Sequence, residues 1–199
     1  MDARTVAVAG ASLSVEISGR GTSPPLLLLH GGMGSTADFA ELGFSDGGIA
    51  GLRLAAHHPE RVGTLFAIGA DWTLTEASRA FLSQVTPQWW RDRHQHGPYS
   101  EAAYTARNPE PDFDRLVREN VTMWIDDTTA TGYPGEDIRK ISAPVVMIRG
   151  ADDRLAGQDL AEALRQMLPG SALHEIPDAG HEVAAGRPAA VAEIVRAAG

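Results

Sequence analysis

At 199 residues, 43% of them apolar, the chain is long enough for one domain with a full hydrophobic core. A net charge of −9 argues against nucleic acid or an anionic membrane as partner, and the absence of cysteine excludes disulfides, a thiol nucleophile and thiolate metal sites. Met1-Asp2-Ala3-Arg4 leads into no long apolar run, and the densest such run, Pro24 to Leu29, is too short to span a bilayer, so a cytoplasmic protein is expected.

In chain order, Val6, Val8, Leu13, Val15 and Ile17 alternate around Gly10, which predicts two short strands joined by a turn. A turn-rich loop, Gly19 to Pro25, leads to Leu26-Leu27-Leu28-Leu29, a continuous run expected for a strand buried on both faces of a parallel sheet. His30-Gly31-Gly32-Met33-Gly34-Ser35 follows. It lacks the G-K-[ST] of a phosphate loop and the G-x-G-x-x-G spacing of a dinucleotide site, so its backbone N–H groups are read as free to bind an oxyanion.

Gly43-Phe44-Ser45-Asp46-Gly47 has the pattern G-x-S-x-G, the signature of a sharp strand-to-helix turn that lifts a serine hydroxyl clear of a sheet. A side chain at Gly43 or Gly47 would crowd the neighbouring element. The apolar helix behind it, Ile49 to Ala56, ends at His57-His58-Pro59, where proline forbids continuation. His57 and His58 then stand near the negative end of the helix dipole.

Val62 to Ile68 reads as a central strand. Residues 71–137 hold nine of the twelve aromatics, and Phe113, Leu116, Val117, Val121 and Trp124 fall at helical spacing. This stretch is read as a helical insertion roofing a pocket, with Trp72, Trp89 and Trp124 as substrate-contacting side chains. Pro144 to Ile148 is a buried strand leading to Asp152-Asp153, and Leu160, Leu164, Met167 and Leu168 mark a helix closed by Pro169-Gly170. Leu173 to Pro177 is a last short strand before His181, and a final helix carries Val191, Ile194 and Val195, with Pro188 near its first turn.

Ligand chemistry on open parallel sheets collects at the carboxyl ends of strands, where the His30–Gly34 loop, Ser45, Asp153 and His181 are all expected. Serine is a weak nucleophile unless a base takes its proton, and a carboxylate can hold that base in the right tautomer. Asp152 is the alternative to Asp153 as that carboxylate. Asp46 is open between capping its own helix and recognising substrate. His30 is read as a structural loop residue. The pair His94 and His96 lacks a partner cluster, so no metal and no other cofactor is expected.

Four stretches in order, Leu28-Leu29-His30-Gly31-Gly32-Met33-Gly34, Gly43 to Gly48, Pro144 to Asp153 and Ile176 to His181, resemble the oxyanion loop, nucleophile elbow, acid-bearing strand and histidine loop of the α/β-hydrolases. The resemblance implies an α/β fold with a mostly parallel sheet flanked by helices, a core of residues 1–70 and 138–199, and a helical cap over 71–137. It implies Ser45 as nucleophile, His181 as base and Asp153 as its orienter, with the N–H groups of Gly32 and Asp46 as oxyanion hole. The reaction implied is hydrolysis of a small ester or related acyl substrate. The elbow S-D-G-G is most similar to that of valacyclovir-hydrolase-like esterases, in which an acid beside the nucleophile can pair with a substrate amino group.

One departure stands out. Between oxyanion loop and elbow the family has a strand, a helix and a second strand, whereas here eight residues, Ser35 to Leu42, separate Gly34 from Gly43. A parallel return normally needs a dozen or more. The chain therefore reads as carrying an internal deletion. The expected consequence is that Leu26–Leu29 re-pairs beside Val62–Ile68, shifting Ser45 away from His181. The alternative to a working hydrolase is then a non-catalytic remnant that keeps the motifs but not their alignment.

Overall fold

The computed structural model describes residues 2–8, 11–17, 27–34, 43–126 and 132–198. The alternating N-terminal segment forms an antiparallel hairpin, β1 (Asp2–Val8) with β2 (Ala11–Ile17), in the register Asp2 to Ile17. A separate parallel sheet has the order β3 (Leu65–Ile68), β4 (Val145–Gly150), β5 (Ala172–Ile176).

The sheet is covered on both faces, and the period-2 alternation of its strands decides which residue serves which face. Phe66, Ile68, Val146 and Ile148 point to one side, where Val183 of α7 (Val183–Gly186) and Val191 of α8 (Pro188–Ala198) pack on them. Leu65, Ala67, Val145 and Met147 point to the other. There they meet Leu52, Ala55 and Ala56 of α1 (Asp46–His57), together with Leu164 of α6 (Gln158–Met167). Gly51 lets α1 approach closely, since a Cβ there would lie 2.7 Å from Leu65 Cδ1.

Between β3 and β4 lie α2 (Glu76–Leu82), α3 (Pro87–Arg93), α4 (Glu101–Arg107) and α5 (Phe113–Ile125). Each starts at a side-chain cap, Thr75, Thr86, Ser100 and Asp112, which accepts the N–H three residues on. Arg91 of α3 donates to Glu101 and Asp114, tying three of these helices together. Their own core is Val85, Phe113 and Val117. No helix among the described residues is long and apolar enough to cross a membrane.

Two expectations are corrected. Residues 27–30 form no strand and Leu27 is 62% exposed, so the leucine run is not buried on both faces; Leu26 lies outside the described residues. Nor does the run pair with Val62–Ile68. Phe44 takes that place, bridging Ile68 in parallel, while its N–H donates to the Leu29 carbonyl at 3.1 Å. Among the described residues Phe44 is an isolated bridge, and one bridge offers too few backbone groups to template a ladder on its far side. The strand expected at Val62–Ile68 begins only at Leu65, because Pro59–Arg61 turns as a 3-10 helix. The join at residues 35–42, which carries the inferred deletion, lies outside the described residues.

Candidate active site

Ser45 stands between the Phe44 bridge and the first turn of α1, at φ 50° and ψ −117°. A positive φ is costly for a side-chain-bearing residue and persists only where its surroundings hold it. Here the Ser45 N–H donates to the Ile68 carbonyl at 2.8 Å, and the Gly47 N–H to the Phe44 carbonyl at 2.8 Å. The flanking glycines are required by packing. A Cβ at Gly47 would fall on the Leu29 carbonyl oxygen, one at Gly43 would lie 3.0 Å from the Phe66 carbonyl, and one at Gly48 would lie 2.5 Å from Ala70 Cβ.

His181 follows β5 and turns its ring to Ser45, with Nε2 3.2 Å from Ser45 Oγ. The displacement of Ser45 from His181 expected from the short join is therefore not seen. The other ring nitrogen, Nδ1, lies 3.0 Å and 3.2 Å from the two carboxylate oxygens of Asp153. Asp153 is buried in the loop after β4, where its Oδ1 accepts the N–H groups of Leu155 (2.8 Å) and Ala156 (3.0 Å). Burial works to raise its pKa, but the hydrogen bond and charge of His181 and the two backbone donors outweigh it and hold the carboxyl below its ordinary value. Arg149 braces this loop by donating to the carbonyls of Asp153 (3.0 Å) and Ala156 (3.2 Å) and by pairing with Glu175. Asp152 is exposed, so of the two candidate acids Asp153 is the one brought to His181.

Asp46 opens α1 one residue past the capping position, which Ser45 holds. Its enclosed carboxyl accepts the Trp124 Nε1–H at 2.7 Å and the N–H of Gly32, joining α1, α5 and the glycine loop. Burial pushes its pKa up, against the lowering effect of those donors and of His181.

Ser45, Asp46, Gly32 and His181 open into a cavity of about 270 Å³ whose lining includes Trp89, Trp90 and Trp124. Trp72 is not part of that lining. Its ring packs against the sheet face under α1, and its Nε1–H donates to the Leu160 carbonyl at 3.0 Å. The indole N–H follows the Leu160 carbonyl, and Leu160 is not in the chamber lining. Sequence reasoning also missed Trp90 and Asp71, both in the chamber lining. Asp71 had a legible signal, its position just past the carboxyl end of β3, where sites collect in parallel sheets.

The model of the alpha/beta hydrolase family matches residues 42–194. The chain belongs to the alpha/beta hydrolase family. Among solved members of this fold, a meta-cleavage product hydrolase from Pseudomonas fluorescens IP01 superposes with a TM-score of 0.58 at 20% identity, over 77% of this chain and 61% of that one. A serine hydrolase involved in carbazole degradation gives a TM-score of 0.55 at 23% identity, over 77% and 60%. The Rv0554 protein of Mycobacterium tuberculosis gives 0.51 at 26%, over 76% and 61%. The alpha/beta hydrolase described here thus spans 60–61% of the length of these relatives. No curated protein sequence matches it significantly.

Proposed function

We propose that the chain is a serine hydrolase that cleaves a small ester or related acyl substrate through an acyl-enzyme, with Ser45, His181 and Asp153 as its triad. The observation that carries this reading is the unbroken hydrogen-bond chain from Ser45 Oγ through His181 to Asp153, at the mouth of an aromatic chamber. In the proposed reaction His181 Nε2 takes the Ser45 proton as Oγ bonds the acyl carbon. The tetrahedral intermediate collapses when the imidazolium returns that proton to the leaving alcohol. Water then repeats the sequence on the acyl-enzyme and frees the acid. Asp153, held below its ordinary pKa, stays ionised and supports the imidazolium. No cofactor is needed, and the partner is a small molecule.

The Asp46 N–H belongs to the first turn of α1, where a helix leaves its donors without internal partners, so it can face an oxyanion. The Gly32 N–H is directed at the Asp46 carboxyl and has to exchange that partner for the oxyanion. The likeness to valacyclovir-hydrolase-like esterases would give Asp46 a substrate amino group. Because its carboxyl already accepts two N–H donors, we assign it instead to holding Trp124 and Gly32. Helices α2–α5 serve as the cap, with Trp89 and Trp124 as substrate contacts.

The second reading, a remnant without turnover, is favoured by the parallel sheet of three strands among the described residues. Labelling with a fluorophosphonate probe separates the two. The hydrolase reading expects one modified residue, Ser45, and no labelling in Ser45→Ala at unchanged melting temperature. An unlabelled, folded wild type would establish the remnant.

A further inference from the structure

The described residues contain one buried side-chain polar atom without a hydrogen-bond partner, Oδ1 of Asp71, and Asp71 lines the chamber that Ser45 opens into. An orphaned carboxyl oxygen inside a protein is costly, so its retention beside a chamber calls for a partner that the chain itself does not supply. The rest of the carboxyl is spoken for, because the Gly157 N–H donates to it.

The groups facing Asp71 decide its charge state. Asp153 stands close enough to repel a second carboxylate, whereas His181 and Arg149 attract one. Arg149 spends its donors on Glu175 and on the carbonyls of Asp153 and Ala156, and His181 is engaged by Asp153 and Ser45. Burial, with Asp153 adding to it, pushes the Asp71 carboxyl from 3.8 up to about 7. Below about pH 7 the carboxyl is then mainly protonated, with one O–H to give, and the partner that this form lacks is an acceptor.

Resting on the hydrolase reading of this site, we propose that Asp71 is a specificity residue whose neutral carboxyl donates a hydrogen bond to an acceptor oxygen on the substrate. The substrate class is then an ester or related acyl compound bearing an uncharged keto or ether oxygen beside the scissile group, with its apolar remainder against Trp89, Trp90 and Trp124.

The test separates binding from turnover. Calorimetry at pH 6.5 compares 4-phenyl-2-butanone with its methylene isostere, 2-methyl-4-phenyl-1-butene, on wild type, Asp71→Asn and Asp71→Leu. Wild type is expected to favour the ketone by about tenfold, the worth of one hydrogen bond in a buried site. Asp71→Asn, which keeps an N–H donor, should retain most of that preference, and Asp71→Leu should lose it. In parallel, the kcat/KM ratio of p-nitrophenyl 4-oxopentanoate to p-nitrophenyl hexanoate should follow the same ranking. Equal wild-type affinities would overturn the proposal, as would a preference unchanged in Asp71→Leu. Loss in Asp71→Asn as complete as in Asp71→Leu would also overturn it, because an amide N–H at the same place should still serve the ketone oxygen. Because the binding arm needs no turnover, a catalytically silent wild type refutes the hydrolase reading without touching this result. Should Asp71→Leu fail to fold, Asp71→Ala takes its place as the variant without a donor, with the same expected loss of preference.

Discussion

Ser45 holds a backbone conformation that only its surroundings make tolerable, and those surroundings are mostly glycine. Gly47→Ala is expected to drive a methyl group into the Leu29 carbonyl, displacing either the elbow or the glycine loop. Probe labelling of that variant should fall by well over tenfold while its far-ultraviolet circular dichroism stays unchanged. Around the proposed triad, Asp153→Asn removes the charge that faces Nδ1 and leaves the imidazole in the wrong tautomer, a change that costs roughly four orders of magnitude in kcat in comparable triads. Asp152→Asn, at an exposed position, should cost little, and steady-state rates of both variants check the ranking. Asp71 makes a prediction about stability. Its folded pKa, about 7, lies above the unfolded 3.8, so its contribution to stability is fully present below pH 4 and is lost as pH rises through 7. The difference across that window is roughly 4 kcal/mol. Urea unfolding of wild type and Asp71→Asn should therefore diverge between pH 4 and pH 7, with the variant gaining relative to wild type as pH rises.

Among the elements, α1 and α5 are joined across the chamber by the contact of Asp46 with Trp124. The indole N–H is a main partner of an enclosed carboxyl, and removing one partner leaves the other to bear its desolvation cost. Trp124→Phe keeps most of the ring and loses the donor. It is expected to destabilise the chain by about 1–3 kcal/mol, measured by urea unfolding. Asp46→Asn combined with Trp124→Phe should cost less than the sum of the single changes, because the two side chains share one interaction. If the costs simply add, the bond does not link the helices. The hairpin β1–β2 takes no part in this arrangement and precedes the region matched by the family.

For the whole molecule, the number of residues between Gly34 and Gly43 matters most. Eight are too few for a strand–helix–strand crossover, and among the described residues the parallel sheet has three strands plus the Phe44 bridge. Stability is expected near the lower end of the usual range of about 5–15 kcal/mol. Inserting a strand–helix–strand unit between Phe39 and Leu42 should raise both the urea midpoint and the rate of serine labelling. A cooperative high-temperature melt with rapid labelling of the 199-residue chain would show instead that the short form is complete.

The four motifs and their order could be read from the chain alone, and so could the elements that carry three of them, the leucine run before the glycine loop being the exception, because each is a local device. A glycine flank permits a tight turn, an apolar run makes a strand, and proline ends a helix. The capping residues of α2–α5 are local in the same sense. What only the tertiary structure decided were relations between segments distant in sequence. It separated Asp153 from Asp152 through their burial, sent Trp72 to the Leu160 carbonyl rather than the chamber, and turned the Asp46 carboxyl from its own helix to Trp124 and Gly32. It also laid the leucine run beside Phe44 rather than β3, and left Asp71 enclosed with one oxygen unpaired. Pairing and desolvation depend on which partners arrive from elsewhere in the fold, and no residue carries that in its own neighbourhood.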